Sequence, residues 1–429
     1  MKILIVGQVF YPDNFRINDI VKELAKENEV KVITGLPDYD LGRVPEEYRF
    51  FKKRREDYFG AEVIRVPIIS RRKGPVFRSL NYMSYVLSGS IYALFMREKY
   101  DIVFSFQTSP ITMFVPGLVY AKKHKIRSLL YTLDLWPESV KAMNINESSP
   151  IFSIIRKMSR KIYHGADYVL TSSPSFKDYL VSEIGLNDDK IAFLPQYTDE
   201  EDVSDNIVLR KDYKSISFTF AGNIGLVQDV ETIVRAAEII KANKFIINIV
   251  GSGSNQENIK AMVEECGLTD HFIFHGRKSH KEMNSIYRDT DVCIITLKNE
   301  GFIGRTIPGK LQTYMAKGKA IMGAISYDTK EIIELSNAGL CVESGDYVGL
   351  SEKMLQYIEN PECVESFGKN SYDYYKNNFA KEKFIDSLNH YLRGEKEICL
   401  KEKNYSSQGV QDLLETQFLE DSLIQTLKR

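Results

Sequence analysis

The first 34 residues, MKILIVGQVFYPDNFRINDIVKELAKENEVKVIT (1–34), contain the pattern that decides the fold. Residues 3–6 form a short, wholly apolar run, which is typical of a strand buried on both faces of a parallel sheet. After a loop, apolar residues recur at helical spacing until about residue 28, and residues 30–34 form a second apolar run. Strand, helix and strand in this order predict a parallel βαβ unit with a right-handed crossover.

The same alternation continues along the chain. Further apolar runs predict five more strands in the first half, with helices such as 79–96 and 151–164 between them. A second series with the same rhythm begins at Ser217 and predicts six strands. Both halves are therefore predicted to be Rossmann-like, doubly wound α/β domains. The predicted strands are 61–66, 102–105, 128–132, 168–172 and 191–194, then 217–221, 246–250, 273–275, 292–295, 320–323 and 339–342.

Length and a break in the pattern predict the domain organisation. A chain of 429 residues is too long for one ordinary core, and periodicity stops in an acidic stretch that contains YTDEEDVSD (197–205). Two α/β domains joined there would face each other across a central cleft at the carboxyl ends of their strands, where ligands bind. We predict an N-terminal domain (1–195), a linker (196–214), a C-terminal domain (215–371), a closing helical segment (372–394) and an appended tail (395–429).

Charge and cysteine content restrict the class of protein. Lys plus Arg number 57 and Asp plus Glu number 58, so the overall charge gives no support to a nucleic-acid partner. The five cysteines have no metal-ligand spacing, which suits a reducing compartment. The N-terminal apolar run is too short for a signal peptide. We expect a cytoplasmic protein whose cysteines form no metal site.

Two glycine-containing turns follow apolar strands in the second half. AGNIG (221–225) contains Gly222 and Gly225, and VGSG (250–253) contains Gly251. Such turns let the backbone approach a phosphate, and the helix that follows aims free N–H groups at it. Both turns are expected at the same edge of the sheet. Ordinary strand-to-helix turns remain the alternative interpretation.

A lysine in RTIPGKLQTYMAKGKAI (305–321) conflicts with the helix dipole. Pro308 and Gly309 precede a helix, so Lys310 lies in its first turn, where a cation is unfavourable unless an anion is close. This local conflict predicts a phosphate-binding residue, although a solvated lysine is the simpler alternative. Arg277, directly after a strand, is a second basic candidate.

Acidic residues follow strands of the first half. TLDLWPES (132–139) places Asp134 and Glu138 beside the only tryptophan, where a carboxylate could bind sugar hydroxyls or act as a base. Helix capping and core packing are equally acceptable roles. The loops 7–19 and 36–40 face the same edge and contribute the acceptor-binding candidates Asp13, Arg16 and Asp38.

Residues 49–78 form a basic region that precedes an uncharged one. This region contains ten basic and three acidic residues, and the next eighteen residues, 79–96, carry no charge. Those eighteen include an asparagine, four serines and three tyrosines, which argues against a membrane-spanning helix. A core helix with one face on an anionic membrane fits better. A solvated basic loop remains the alternative.

Seven segments in series resemble a known family. They are residues 1–20, TGLPDYDLGRVPEEYR (34–49), DLWPESV (134–140), LPQYTDE (194–200), FTFAGNIGLVQDVETIV (218–234), VGSGS (250–254) and IPGKLQTYMAKGKAI (307–321). The chain up to about residue 393 resembles the retaining GT-B glycosyltransferases of family 4, and is most similar to bacterial capsule and O-antigen enzymes such as L-fucosamine transferases. The resemblance implies two Rossmann-like domains and a nucleotide-sugar substrate bound mainly to the second. It also implies a reaction that needs no metal and no cofactor.

The chain departs from that family at several binding positions. Many members carry glutamates where Arg305 and Thr313 stand here, and an Arg and a Lys where Asn223 and Gln228 stand. The resemblance therefore implies altered roles, with Gln312 or Thr313 on the ribose and Glu300 as a displaced acid near the donor sugar. Lys310, Arg305 and Arg277 would hold the diphosphate.

The resemblance implies a function. It predicts transfer of a sugar, such as an N-acetylated amino sugar, from a UDP-sugar to a polyprenyl-diphosphate-linked saccharide at the inner face of the membrane. An inactive nucleotide-sugar-binding subunit and a non-hydrolysing UDP-sugar epimerase remain alternatives. A dehydrogenase is disfavoured because GxGxxG does not follow the first strand.

Overall fold

The computed structural model describes residues 1–39, 42–50, 52–72, 74–143, 145–198 and 215–395. Most of the predicted linker and almost all of the predicted tail lie outside the described residues. The chain divides into two compact units, Met1–Ile385 and Asp386–Arg429. In the second unit, what is described is the end of a helix that begins at Lys381, and His390 Nδ1 lies 2.6 Å from a carboxylate oxygen of Glu395.

The first unit contains two sheets, and the first sheet has eight strands in the order β3-β4-β2-β1-β5-β6-β7-β8. All pairs are parallel except β3 with β4, which are antiparallel. The strands are β1 (Lys2–Val6), β2 (Glu29–Thr34), β3 (Arg55–Tyr58), β4 (Ala61–Arg65), β5 (Ile102–Gln107), β6 (Arg127–Thr132), β7 (Tyr168–Thr171) and β8 (Ile191–Phe193).

The second sheet has six parallel strands in the order β11-β10-β9-β12-β13-β14. Its central strands are almost wholly buried, as expected for a parallel sheet covered by helices on both faces. The strands are β9 (Ile216–Ala221), β10 (Phe245–Val250), β11 (Phe272–Gly276), β12 (Val292–Thr296), β13 (Ala320–Ala324) and β14 (Gly339–Val342).

Helices connect the strands of both sheets. Those of the first half are α1 (Arg16–Leu24), α2 (Pro75–Phe95), α3 (Val115–His124), α4 (Pro150–Gly165) and α5 (Pro174–Tyr179). Those of the second half are α6 (Val230–Ile239), α7 (Gln256–Glu265), α8 (His280–Arg288), α9 (Gly309–Ala316), α10 (Tyr327–Leu335), α11 (Tyr347–Glu359), α12 (Cys363–Asn378) and α13 (Lys381–Arg393). Each sheet has its own cluster of buried apolar side chains.

The structure confirms the predicted strand series, the parallel βαβ unit at the N-terminus and the doubly wound fold class. Three details differ. The antiparallel edge strand β3 was absent from the prediction, and α2 begins four residues earlier than predicted. The predicted closing segment is two helices, because the helix that begins at Cys363 ends at Asn378 and α13 starts at Lys381.

The two halves of the first unit meet through specific polar contacts. The Asp328 carboxylate on α10 accepts hydrogen bonds from Ser173, and from the backbone N–H and hydroxyl of Ser175 at 2.9 and 2.7 Å. Asp328 therefore caps the first turn of α5, which belongs to the other half. The hydroxyl oxygens of Thr198 and Thr313 lie 2.7 Å apart. These contacts align the two sheets in the described structure.

Candidate functional site

A cavity of about 430 Å³ opens at the carboxyl edge of the second sheet. It lies where β9 and β10 end, beside the residues that follow β11 and the first turns of α9. Such an edge is the usual ligand position in an open α/β sheet. The lining residues are Ala221, Gly222, Asn223, Val250, Gly251, Ser252, Arg277, Lys278, Met283, Tyr287, Lys310 and Thr313.

The two glycine turns interlock at the floor of this cavity. Gly222 N donates to Val250 O at 2.9 Å, and Ile224 N donates to Ser252 O at 3.1 Å. Gly251 has φ of +129°, and a Cβ placed there would lie 1.9 Å from Gly222 O. Only glycine fits such an approach of two backbones. The turns do share one edge, as predicted, and Gly251 serves first to pack one turn against the other.

Lys310 projects from the first turn of α9 towards these turns. Its Nζ lies 3.8 Å from the centroid of the Phe220 ring, and a Cβ on Gly222 would lie 3.1 Å from Nζ. Nζ is buried and makes no hydrogen bond within the described residues. Burial lowers the pKa of Lys310 to about 7. A buried cation without a counter-charge is costly, so the site is suited to receive an anion.

Further polar groups surround Lys310. Arg277 Nε donates to Ser252 Oγ at 2.6 Å, which orients the guanidinium at the cavity wall. Ala221 N donates to the Tyr314 hydroxyl at 3.0 Å, so α9 is fixed to the end of β9. Lys278 is exposed, and its Nζ lies 3.1 Å from a carboxylate oxygen of Glu282. The cavity therefore combines glycine turns with positive charge.

The structure brings together six of the ten predicted donor-site residues in the lining and leaves the other four outside it. Gln228 accepts from Gly225 N and from Asn223 Nδ2, both at 3.2 Å, so it shapes the turn behind the cavity. Gln312 is buried, and in its satisfied amide orientation it donates to Pro308 O and Gly309 O at 3.1 Å. The six that line the cavity are Gly222, Asn223, Gly251, Arg277, Lys310 and Thr313, whereas Gly225 belongs to the turn that Gln228 shapes.

Arg305 and Glu300 have surroundings that differ from those expected of donor-binding residues. The Arg305 guanidinium lies between the Phe302 and Tyr327 rings, 4.9 and 4.8 Å from their centroids. Arg305 O accepts from Ser173 Oγ at 2.8 Å, which places this segment at the contact between the halves. Glu300 is exposed. Neither side chain is among the residues that line the cavity.

The acidic candidates after β6 are engaged in local contacts. Asp134 accepts a hydrogen bond from the Ser139 hydroxyl, and burial raises its pKa. Glu138 accepts from the Tyr179 hydroxyl at 3.0 Å and pairs with Lys141 at 2.5 Å. These contacts support the structural interpretation for Glu138. Asp134 follows β6 at the carboxyl edge of the first sheet, and its predicted catalytic role stays a prediction.

The acceptor candidates lie at the carboxyl edge of the first sheet. Asp13 is buried and accepts from Tyr39 N at 3.2 Å. The Arg16 guanidinium lies 4.7 Å from the centroid of the Tyr197 ring. Asp38 is buried and accepts from Arg71 N at 2.6 Å and Asn81 Nδ2 at 3.0 Å. Burial raises the pKa of Asp38 to about 6.

Sequence reasoning missed several lining residues. Ser252 lies inside the second glycine turn, VGSG, in which only Gly251 was predicted to bind the donor. Met283 and Tyr287 lie on α8 and line the cavity. The amphipathic pattern of this helix indicates that they face inwards but does not indicate that they border a cavity. Lys278 follows Arg277 directly, so the HGRK sequence contained the signal for it.

Comparison with known families identifies the class of protein. Residues 15–202 match Glycosyltransferase Family 4, and residues 204–374 match Glycosyl transferases group 1. The chain carries the two family domains of a glycosyltransferase. The predicted resemblance to glycosyltransferase family 4 is therefore confirmed for the family. Membership of the L-fucosamine transferase group stays a prediction.

Two relatives support the glycosyltransferase assignment. WcaI of Escherichia coli (strain K12), whose name describes a glycosyl transferase of colanic acid biosynthesis, is 23% identical over 347 residues. That match covers 76% of this chain and 84% of WcaI. "Probable glycosyltransferase WbjE" of Pseudomonas aeruginosa is 27% identical over 276 residues, covering 60% of this chain and 66% of WbjE.

A solved structure supports the GT-B fold. Anabaena Alr3699/HepE in complex with UDP superimposes with a TM-score of 0.67 at 12% identity. The superposition covers 92% of this glycosyltransferase chain and 100% of HepE. The predicted fold class, with two Rossmann-like domains, is therefore confirmed.

Proposed function

We propose that the chain transfers a sugar from a UDP-sugar to a lipid-linked saccharide in the synthesis of a bacterial surface polysaccharide. The observation that carries this proposal is the buried Lys310 ammonium, which makes no hydrogen bond within the described residues and lies beneath two interlocked glycine turns. A diphosphate supplies the missing counter-charge, and the Arg277 guanidinium at the cavity wall can donate hydrogen bonds to it. UDP in HepE and colanic acid in the name of WcaI support the donor and product classes.

Lys310 and Arg277 would act on the leaving group. Cleavage of the sugar–phosphate bond leaves negative charge on the UDP oxygen, and preorganised cations stabilise that charge best in a partly buried site. We propose that these two side chains provide this stabilisation without a metal, that Thr313 contacts the ribose, and that the reaction retains the anomeric configuration. An N-acetylated amino sugar remains the proposed donor sugar.

A membrane-facing surface would bring the lipid-linked acceptor to the cleft. Within the described residues, no helix is long and apolar enough to cross a membrane. However, α2 exposes a stripe of large apolar side chains, including Met83 at 59% and Leu87 at 65% exposed. Arg71, Arg72 and Arg78 lie at its N-terminal end, which suits an anionic leaflet. We propose that α2 lies on the inner face of the cell membrane.

Nucleotide titration tests the proposed donor class. We expect UDP to raise the thermal unfolding midpoint of the full chain, with smaller effects from GDP and ADP. A ligand at 100 times its Kd stabilises the folded state by about 2.7 kcal/mol, which corresponds to a shift of a few degrees. Differential scanning fluorimetry measures it, with UDP-N-acetylglucosamine in parallel. Equal or absent shifts for all these nucleotides would contradict the proposal.

The pKa of Lys310 predicts a pH dependence of UDP binding. In the free protein, Lys310 loses its proton as the pH rises through about 7. A bound diphosphate favours the charged form, so binding takes up a proton above that pH. We expect UDP affinity to fall by up to about tenfold per pH unit above pH 7. Calorimetry in buffers of different ionisation enthalpy counts the protons, and the Lys310→Met variant should show no uptake.

A further inference from the structure

A second cavity, of about 520 Å³, lies between the second sheet and α8. Its wall includes Ser217 near the start of β9, Asn248 in the middle of β10 and His275 near the end of β11, and the last turn of α8 completes it. We call the cavity around Lys310 the donor cavity. The two cavities share no lining residue, so the second one is a separate space, nearer to the amino ends of β9 and β10.

A polar network on the sheet fixes the wall of the second cavity. Asn248 Nδ2 donates to Ser217 Oγ at 3.0 Å and to Phe218 O at 3.4 Å. Because a carbonyl oxygen only accepts, this contact orients the amide, and Asn248 Oδ1 is the atom that lies 2.8 Å from His275 Nε2. The imidazole therefore donates from Nε2 and keeps Nδ1 as an acceptor, which has no hydrogen-bond partner among the described residues.

These polar residues occupy positions that a covered parallel sheet normally fills with apolar side chains. The strand sequence FIINIV (245–250) is apolar except for Asn248, and asparagine is depleted in strands. Asn248, Ser217 and His275 are all half-buried, since each borders the cavity and not a tightly packed helix. A fixed polar wall beside an open space favours a binding role for these side chains.

The charges around the second cavity disfavour an anion as its ligand. No lysine or arginine is among the described residues that line it, in contrast to the donor cavity. Burial lowers the pKa of His275 and the charge of Lys278 lowers it further, so the imidazole is neutral near neutral pH. The charged residue of the described lining is Asp289, whose exposed carboxylate lies 3.7 Å from Arg288 Nε.

The remaining chemistry matches an uncharged sugar. The Ser217 hydroxyl can donate, whereas His275 Nδ1 and the Asp289 carboxylate accept, so the wall complements hydroxyl groups in both directions. Ile246 and Ile286 add an apolar surface against which the C–H face of a sugar ring can pack. The volume of about 520 Å³ falls within the range of about 300–1,000 Å³ for small-molecule sites.

The helix α8 borders both cavities. Met283 and Tyr287 line the donor cavity, whereas Ser285 and Ile286 line the second one. A ligand that shifts α8 from one side therefore changes the wall of the other cavity. Such coupling is reciprocal, because each ligand then changes the affinity of the protein for the other.

We propose that the second cavity binds an uncharged sugar unit and that its occupancy changes UDP affinity through α8. The sugar site goes beyond the proposed function and does not depend on it, whereas the coupling rests on UDP as the nucleotide of the donor cavity. A transferase with this site adjusts its donor binding to the sugars around it.

Saturation-transfer NMR on the full chain tests the sugar site without nucleotide. The probes are glucose, galactose, fucose and N-acetylglucosamine, of which at least one should receive saturation at millimolar concentration. Glucuronate and galacturonate should not displace it. Ser285→Tyr fills the cavity from α8 and should weaken the binding at least about tenfold. The matched control is Lys281→Tyr, at an exposed position of α8 outside both linings, which should change the affinity by less than about twofold.

The alternative ligands give different results. If none of the four sugars received saturation, the cavity would hold only water and the proposal would fail. Displacement by galactosamine but not by galactose would instead indicate an amine site at Asp289, and would also overturn the proposal. Sugar binding that is lost in Lys310→Met but kept in Ser285→Tyr would place the sugar in the donor cavity. His275→Phe, which removes the free acceptor, repeats the test with an independent variant.

UDP titration in the presence and absence of the sugar tests the coupling. A saturating sugar should change the Kd of UDP at least about threefold, and Ser285→Tyr should remove that change. Unchanged UDP affinity in the sugar-bound protein would overturn the coupling. If UDP did not bind at all, the proposed donor class would fail, whereas the sugar-binding result would stand, so the two failures are distinguishable.

Discussion

Replacing Lys310 with methionine is expected to weaken UDP binding by about 100-fold and to stabilise the unliganded protein. The loss of affinity corresponds to about 2.7 kcal/mol, within the range of about 2–5 kcal/mol for removing one member of a buried charge pair. Methionine keeps the volume of the side chain, so the cavity floor should stay packed. Removing a buried cation that pairs with no residue in the described part of the chain removes the cost of its desolvation. Binding and stability should therefore change in opposite directions.

The stability gain has a predicted pH dependence. The pKa of Lys310 is about 7 in the folded state and about 10.5 in an unfolded chain. Below pH 7 the lysine is charged in both states, so the wild type bears the full cost of burying the charge. Between about pH 7 and 10.5 the folded state releases the proton first, and the cost declines. The melting midpoint of Lys310→Met should exceed that of the wild type most clearly below pH 7.

A lysine on the same segment provides the control. Lys317 follows α9 directly, and its Nζ donates to Asn284 Oδ1 at 2.8 Å. Lys317→Met removes one positive charge close to the site without altering the cavity lining, and should change UDP affinity by less than about twofold. If Lys310→Met bound UDP within twofold of the wild type, the diphosphate assignment would be wrong, and the inactive or epimerase alternatives would need another anion site.

The series of apolar runs made the fold predictable. Runs such as 102–105 and 292–295 lie in buried central strands, where both faces of the sheet demand apolar side chains. The missed strand β3 has the sequence REDY and, among the described residues, pairs with β4 alone at the sheet edge. No residue of β3 is fully buried, so the strand needs no run of apolar side chains. Edge position therefore explains why the sequence did not reveal it.

Helix geometry explains which of the predicted residues on α9 line the cavity. Lys310 and Thr313 are three residues apart on α9, lie on the same side of the helix and both line the cavity. Gln312 is two residues from Lys310 and points elsewhere, as the same geometry requires. The position of Arg305 between two aromatic rings depends on Tyr327, which is far along the chain. No local pattern in the sequence contains that information.

Replacing Gly251 with alanine is expected to unfold or severely destabilise the second half of the molecule. A Cβ at this position would lie 1.9 Å from Gly222 O, and φ is +129°, a conformation that side chains rarely adopt. Backbone strain of this kind costs about 1–3 kcal/mol, and overpacking adds about 1–3 kcal/mol. We expect a loss of about 3–5 kcal/mol, measured as a lower urea midpoint, and no UDP binding at temperatures where the wild type binds.

A Gly267→Ala variant serves as the control for Gly251→Ala. It distinguishes the stability cost of the close backbone contact from the cost of the positive φ. Gly267 follows α7 with φ of +66°, and nothing lies within 4 Å of a Cβ built there. Gly267→Ala therefore retains only the conformational cost, roughly 1–2 kcal/mol, and should bind UDP normally. If the two variants lost equal stability, the contact between the turns would contribute nothing. A larger loss for Gly251→Ala would mean that the close approach of the two backbones, and not the positive φ alone, requires a glycine at this position.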